Sequence, residues 1–272
     1  MRESKIVQPT LSRRAFNKSE SANPSLWDGL VGAWVPALGV QGNRLVDVSG
    51  NGNVGTMYNM TNLVTNWIPT KAGIALNFDG TDDLVSVPDR NSLRTNLLTI
   101  FMWVYVNTTG NRDTFISCGN SRTFSSNNYI FCVDSGNRRI SLFPRTPTSQ
   151  LFGSSGVVNL AAWNTVAFSA DGTNIKFWVN GQATGSATGA LGTNNTSGWY
   201  VANSPGAGLG DLYFPARITV ASVMVFSYPL SAKQISGLNS DPLAPFRLKR
   251  RVIVRGASLI GTTSPFPCFF QS

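Results

Sequence analysis

The stretch LTIFMWVYV at residues 98–106 is apolar at eight of its nine positions and has polar sequence on both sides. A run this short and this apolar suits a strand buried on both faces, so other layers must cover it. It predicts a central strand in a layered β fold. The rest of the chain supplies partners for it. From GLVGAWVPALGV (29–40) onward, short apolar runs alternate with turn signals, as an antiparallel fold requires. GIALNF (73–78) and DLVSV (83–87) flank DGTD, whose Asp79-Gly80 predicts a hairpin turn. NNYIFCVD and RRISLF predict a second hairpin turning at SGN, and AWNTVAFSA with TNIKFWVNG a third turning at Asp171-Gly172. In that last strand Ile175, Phe177 and Val179 alternate with Lys176 and Trp178, which gives one core face and one half-exposed face.

The final strand, ARITVASVMVF (216–226), runs into PLSAKQISGL, where the one helical pattern begins. Ser231 and Gln234 fit a capping box, with Ile235 and Leu238 as the apolar stripe. Residues 181–215 are rich in Gly, Asn, Ser and Thr and read as loops. Residues 1–23 show no sustained period and read as an extended arm. The expected organisation is a basic N-terminal arm (1–23), a β-sandwich (24–240) and a basic, aromatic C-terminal arm (241–272).

Composition narrows the chemistry. Among 272 residues there is no His, and the only two Glu are Glu3 and Glu20. That removes His-based triads, His metal sites and a Glu general acid in the folded core. The three cysteines, Cys118, Cys132 and Cys268, share no metal-like spacing and read as reduced thiols. The opening MRESKIVQPTLSRR has no apolar segment of the signal-peptide kind, which predicts synthesis in the cytoplasm. No apolar run approaches the roughly 18 residues of a membrane span. The net charge of +9 sits mostly at the ends: +3 in residues 1–23 and +4 in residues 240–272, leaving +2 between them.

The order of these pieces carries a resemblance. LVGAWVP, LVDVSGNGNVGTM, ALNFDGTDDLVSVPD, LTIFMWV, WNTVAFSADGTNIKFWVNG and SVMVFSYPLSAKQISGL together resemble the concanavalin A-like, laminin-G-type domain over roughly residues 28–240. The resemblance implies an all-β jelly roll: two curved antiparallel sheets, one short helix near the end, and the terminal arms outside. The tail DPLAPFRLKRRV is similar to the ends of such domains encoded in tailed-phage genomes.

Several candidate sites follow. In the resembling family the loop DVSGNGNVG lies near a calcium position, which here would use Asp47, Asn51 and Asn53. The family's acidic residue in the final strand falls at Ala221-Ser222, so the loop also reads as a tight turn whose glycines take positive φ. DGTDD offers Asp79, Asp82 and Asp83 as a cation or sugar-hydroxyl site, or as a solvated turn. The carboxylate-bearing strand of the laminarinase-type branch has no counterpart, because residues 98–106 carry no acid. No enzyme activity is expected. Of seven Trp, Trp34, Trp103 and Trp163 sit in apolar patterns and read as core. Trp67, Trp178 and Trp199 with Tyr200 are the sugar-stacking candidates.

The basic ends lack aromatic interleaving, which argues against nucleic acid as the partner. They read as docking arms, with Arg13, Arg14, Arg247, Lys249, Arg250 and Arg251 supplying charge and Phe266, Phe269 and Phe270 apolar anchors. The expected protein is a component of the virion surface, as capsid decoration or on the head or tail, bound to other virion proteins and to its own copies. The alternative is a carbohydrate-binding module for a host-surface glycan. No cofactor beyond a calcium ion is implied, and no membrane.

Overall fold

The computed structural model describes residues 14–60, 63–70, 73–107, 112–119, 128–134, 136–145, 152–191, 198–205 and 212–249. Arg13, Arg250, Arg251, Phe266, Cys268, Phe269 and Phe270 lie outside them.

In chain order the strands are β1 (Leu30–Trp34), β2 (Val40–Gln41), β3 (Arg44–Leu45), β4 (Gly55–Tyr58), β5 (Trp67–Thr70), β6 (Gly73–Asn77) and β7 (Leu84–Val87). Next come β8 (Leu98–Val106), β9 (Arg112–Cys118), β10 (Asn128–Asp134), β11 (Arg139–Arg145), β12 (Phe152–Val157) and β13 (Ala162–Ala170). The last are β14 (Asn174–Val179), β15 (Gln182–Thr188), β16 (Trp199–Val201), β17 (Ser204–Pro205), β18 (Leu212–Tyr213) and β19 (Ile218–Phe226). A single-turn helix α1 (Leu63–Asn66) precedes β5, and α2 (Ala232–Ser240) follows β19.

Two antiparallel sheets form a sandwich. The eight-stranded sheet runs β15-β14-β13-β8-β19-β6-β5, with β1 also paired to β19. The nine-stranded sheet runs β12-β11-β10-β9-β16-β7-β4-β3-β2. Between them lies one core, in which Leu98, Ile100, Met102, Val104 and Val106 of β8 face the second sheet. Its middle is an aromatic cluster: Phe131 packs against Phe168 at 5.0 Å and Phe115 at 5.4 Å, and Tyr129 meets Trp199 edge-on at 5.8 Å.

The 98–106 strand is central, between β13 and β19. Part of its outer face is covered as well. Phe101 lies beneath a third layer, where Leu230, Ile235, Leu238, Leu243 and Phe246 cover Ala167, Trp178, Met224 and Phe226. The helix in that layer begins as expected: the Ser231 hydroxyl accepts from the Gln234 N–H, and the Gln234 side-chain Oε1 accepts from the Ser231 N–H at 3.0 Å.

Three expectations need correction. The Asp171-Gly172 turn is a true hairpin between β13 and β14, but Asp79-Gly80 is not. β6 belongs to the eight-stranded sheet and β7 to the other, so residues 79–83 arch from sheet to sheet. The arch is tied by Asp83, whose Oδ2 accepts from the Asp79 N–H at 3.0 Å and from Asn66 Nδ2 at 3.1 Å. Second, residues 181–215 contain strands as well as loops. β15 is an exposed edge strand without large apolar residues, held by its ladder to β14, and β16 is interior to its sheet between β9 and β7.

Third, the boundaries at 23/24 and 240/241 fall inside the packed body. The Ala15 N–H donates to Phe246 O at 2.9 Å, the Ala22 N–H to Arg247 O at 2.7 Å and the Lys249 N–H to Glu20 O at 2.9 Å. Trp27 adds an edge contact to Phe246 at 5.6 Å and donates its Nε1 hydrogen to Pro245 O. The described parts of both ends are therefore clamped together over the outer face of the eight-stranded sheet.

Candidate functional site

The third layer covers only one half of that outer face. Along β8 the side chains alternate, so Phe101 is covered while Trp103 and Tyr105 emerge half-buried beyond the layer's edge. Antiparallel register sets Trp163 of β13 opposite Tyr105, and Thr165 opposite Trp103. The Thr165 hydroxyl donates to Asn239 Oδ1 at 2.6 Å and pins the end of α2 beside the aromatic group. Where the helix stops, the rings begin.

Trp103 and Trp163 have centroids 5.1 Å apart with planes at 49°, and Tyr105 meets Trp163 at 5.7 Å and 70°. Ile68, Pro69 and Thr70 of β5 form the facing wall, and Thr219 and Asn107 contribute polar groups, around a cleft of about 570 Å³. The Thr219 hydroxyl donates to Asn77 Oδ1 at 2.9 Å, and Asn107 Nδ2 reaches Arg217 O at 3.4 Å. No charged side chain is among the described lining residues. The cleft offers tilted aromatic faces with neutral hydrogen-bonding groups beside them, a combination that binds flat, partly apolar, uncharged molecules.

The stacking residues expected from sequence are elsewhere. Trp199 is fully buried in the inter-sheet core, because it faces inward from an interior strand. Trp178 is buried beneath the third layer. Neither presents a ring face to a ligand. Tyr200 is half-buried and stands on the nine-stranded sheet, so these three do not form one site. Trp67 is half-buried against the core. Conversely Trp103 and Trp163, read as core, are the half-exposed pair. The signal was present in the alternation: within LTIFMWVYV one parity is aliphatic and the other carries Phe101, Trp103 and Tyr105.

The Asp47 loop is a hydrogen-bonded turn. Asp47 is buried; its Oδ1 accepts from the Ala33 and Ser49 N–H groups and its Oδ2 from the Asn53 N–H, all at 2.9 Å. Asn53 is fully buried, donates to Val31 O at 2.6 Å and accepts from the Ser92 hydroxyl at 3.1 Å. Asn51 donates to Leu30 O at 3.0 Å. These groups hold the loop onto β1, with Gly50 and Gly52 at positive φ supplying the bend. The proposed calcium trio is thus engaged in closing the turn.

Asp79, Asp82 and Asp83 place carboxylate oxygens within 4.8 Å of one another and form the one acidic trio close enough to share a cation among the described residues. Burial, with help from the charges of Asp79 and Asp82, holds the Asp83 carboxyl above the usual range. At the ends, Arg247 makes a two-point ion pair with Asp241 at 2.8 and 3.0 Å. Its charge is committed within the fold. Arg14 is half-buried, and Lys249 is exposed.

The two-sheet antiparallel sandwich defines a concanavalin A-like, lectin-type fold. The model of the concanavalin A-like lectin/glucanases superfamily matches residues 79–236, more than half of the chain, and the chain belongs to that superfamily. No curated protein sequence matches it. Among solved structures, domain 4 of AbnA, a GH43 extracellular arabinanase from Geobacillus stearothermophilus in complex with arabinotriose, aligns with a TM-score of 0.59. Identity there is 17%, over 77% of this chain and 98% of that one. The botulinum neurotoxin serotype G binding domain aligns at 0.56, with 15% identity over 78% of this chain and 50% of that one. Trypanosoma rangeli sialidase aligns at 0.54, with 16% identity over 78% of this chain. This chain spans only 32% of the sialidase's length. At these identities the likeness is one of fold.

Proposed function

We propose that this domain is a non-catalytic carbohydrate-binding module that takes a neutral glycan in the cleft formed by Trp103, Tyr105 and Trp163. The observation that carries the reading is the pair of half-exposed indoles 5.1 Å apart in a cleft of about 570 Å³. Pyranose and furanose rings present C–H faces that pack on aromatic rings, while Asn107, Thr70 and Thr219 are placed to meet hydroxyls. Binding rather than cleavage is supported by the lining. Glycoside hydrolysis uses two carboxyl groups about 5–9.5 Å apart, and the described lining of this cleft has none. The fold likeness to an arabinanase domain solved with arabinotriose agrees with a neutral sugar as ligand. A glycan array probed with the wild-type chain is expected to show neutral oligosaccharide signals that disappear in Trp103→Ala and Trp163→Ala. Signals that survive both substitutions would remove the cleft as the site.

A second reading concerns the ends. The described N- and C-terminal segments run side by side, with Ser21 bridged to Leu248. Residues 1–13 carry Arg2, Lys5 and Arg13 against Glu3, and residues 250–272 carry Arg250, Arg251 and Arg255 with no acid. In this reading both segments, with Phe266, Phe269 and Phe270, dock the sandwich onto a tailed-phage virion, as capsid decoration or at the head or tail surface. The partners are then other virion proteins and further copies of the chain, met after synthesis in the host cytoplasm. Deleting residues 1–13 or 250–272 should leave a folded sandwich that no longer joins particles. Normal incorporation of both truncated forms would end this reading.

A further inference from the structure

A second groove, lined in part by Trp67, lies between the loop 36–42 and strands β5 and β6. It has a volume of about 610 Å³ and an almost wholly apolar lining, including Leu38, Val40, Val46, Trp67 and Ile74. Its polar side chains are Gln41 and Arg14, and the Nη1 of Arg14 is buried with no hydrogen-bond partner among the described residues. No acidic residue lines the groove among the described residues, and burial lowers the basicity of the guanidinium. The guanidinium carbon lies over the ring of Phe16, 4.7 Å from its centroid. A buried N–H without an acceptor on a cationic side chain favours an anionic oxygen that can reach it.

The rim adds to this. Phe16, Val40 and Ile74 are exposed by 60%, 36% and 46%, and large apolar side chains clustered at a groove mark a protein contact. The strand β2, which contributes Val40 and Gln41, ends the nine-stranded sheet, so one of its sides has no strand partner among the described residues. Such an edge accepts an added strand.

We propose that this groove is a docking site for an extended segment of a partner protein, in which an Asp or Glu reaches Arg14 and neighbouring aliphatic residues pack on Val40, Trp67 and Ile74. The charge of the groove selects the acid, its apolar walls select the flanking residues, and the open edge of β2 selects the extended conformation. This site shares no residue with the glycan cleft, and its test is independent of that reading.

Peptides selected from a random display library against the immobilised full-length chain would identify the preferred partner sequence. The expected winners carry an acidic residue beside Val, Ile, Leu or Phe. Their affinity, read by Trp fluorescence or calorimetry, should fall tenfold or more with Arg14→Met in the protein or with Glu→Gln or Asp→Asn in the peptide. The double change should cost little more than either alone, and Trp163→Ala should leave affinity unchanged. The ligand-free Arg14→Met protein should melt no lower than wild type, because an uncompensated charge has been removed. The proposal is overturned if no peptide is enriched, if winners lack an acid, or if they bind Arg14→Met unchanged. A lower melting temperature with unchanged peptide affinity would make Arg14 a structural partner of Phe16 only.

Discussion

Trp103 and Trp163 stand on neighbouring strands with ring centroids 5.1 Å apart, and neither indole is covered by the helix layer that buries Trp178 on the same sheet. One face of one sheet thus does two jobs. Under α2 it is core, and beyond Thr165 and Asn239 it is an aromatic surface.

Truncating the two kinds of Trp should separate binding from stability. Trp163→Ala removes a half-exposed ring, so unfolding free energy should fall by less than about 1.5 kcal/mol while glycan affinity drops tenfold or more. Trp199→Ala empties a fully buried position and should cost about 3–5 kcal/mol. Denaturant melts and calorimetric titration of both variants check this.

Asp47 should matter for stability and not for metal binding. Its carboxylate accepts from three backbone N–H groups in a buried site, so Asp47→Ala leaves those donors unsatisfied and should cost about 2–4 kcal/mol. Calcium or EDTA should not move the wild-type melting temperature through this loop. A calcium-induced rise that disappears in Asp47→Ala would restore the loop as a cation site.

Asp83 should make the fold slightly more stable in acid. Its folded pKa is raised above the ordinary value of 3.8. The folded state therefore holds this proton to higher pH than the unfolded chain does. The contribution is most favourable below pH 3.8 and is lost as pH rises through the folded pKa. Asp83→Asn keeps an oxygen for the Asp79 N–H and Asn66 without the charge. It should stabilise the protein at pH 7 and give no gain near pH 3, as thermal melts across pH will show.

Much of the architecture is legible in the sequence. The apolar run at 98–106 marks a central strand, although Trp103 and Tyr105 on its outer face are only half-buried, and Ser231 with Gln234 marks the helix start. What failed were features that local sequence does not encode. Asp79-Gly80 and Asp171-Gly172 are the same dipeptide, yet only the second joins paired strands, because sheet membership is decided by distant partners such as β19 and β16. Strand Gln182–Thr188 carries no apolar alternation because it is a largely exposed sheet edge. The Trp assignments inverted for one reason. Whether an outward ring is core or surface depends on where α2 and the segment around Phe246 come to rest, and those residues lie far along the chain.

The most direct test of the cleft is the indole region of a 1H–15N spectrum, where seven Trp side chains report separately. Titration with a panel of neutral oligosaccharides should shift the Trp103 and Trp163 indole signals and leave those of Trp34, Trp178 and Trp199 in place. If no sugar moves the first two, or if the perturbation falls only on other residues, the outer face of the eight-stranded sheet is not the glycan site.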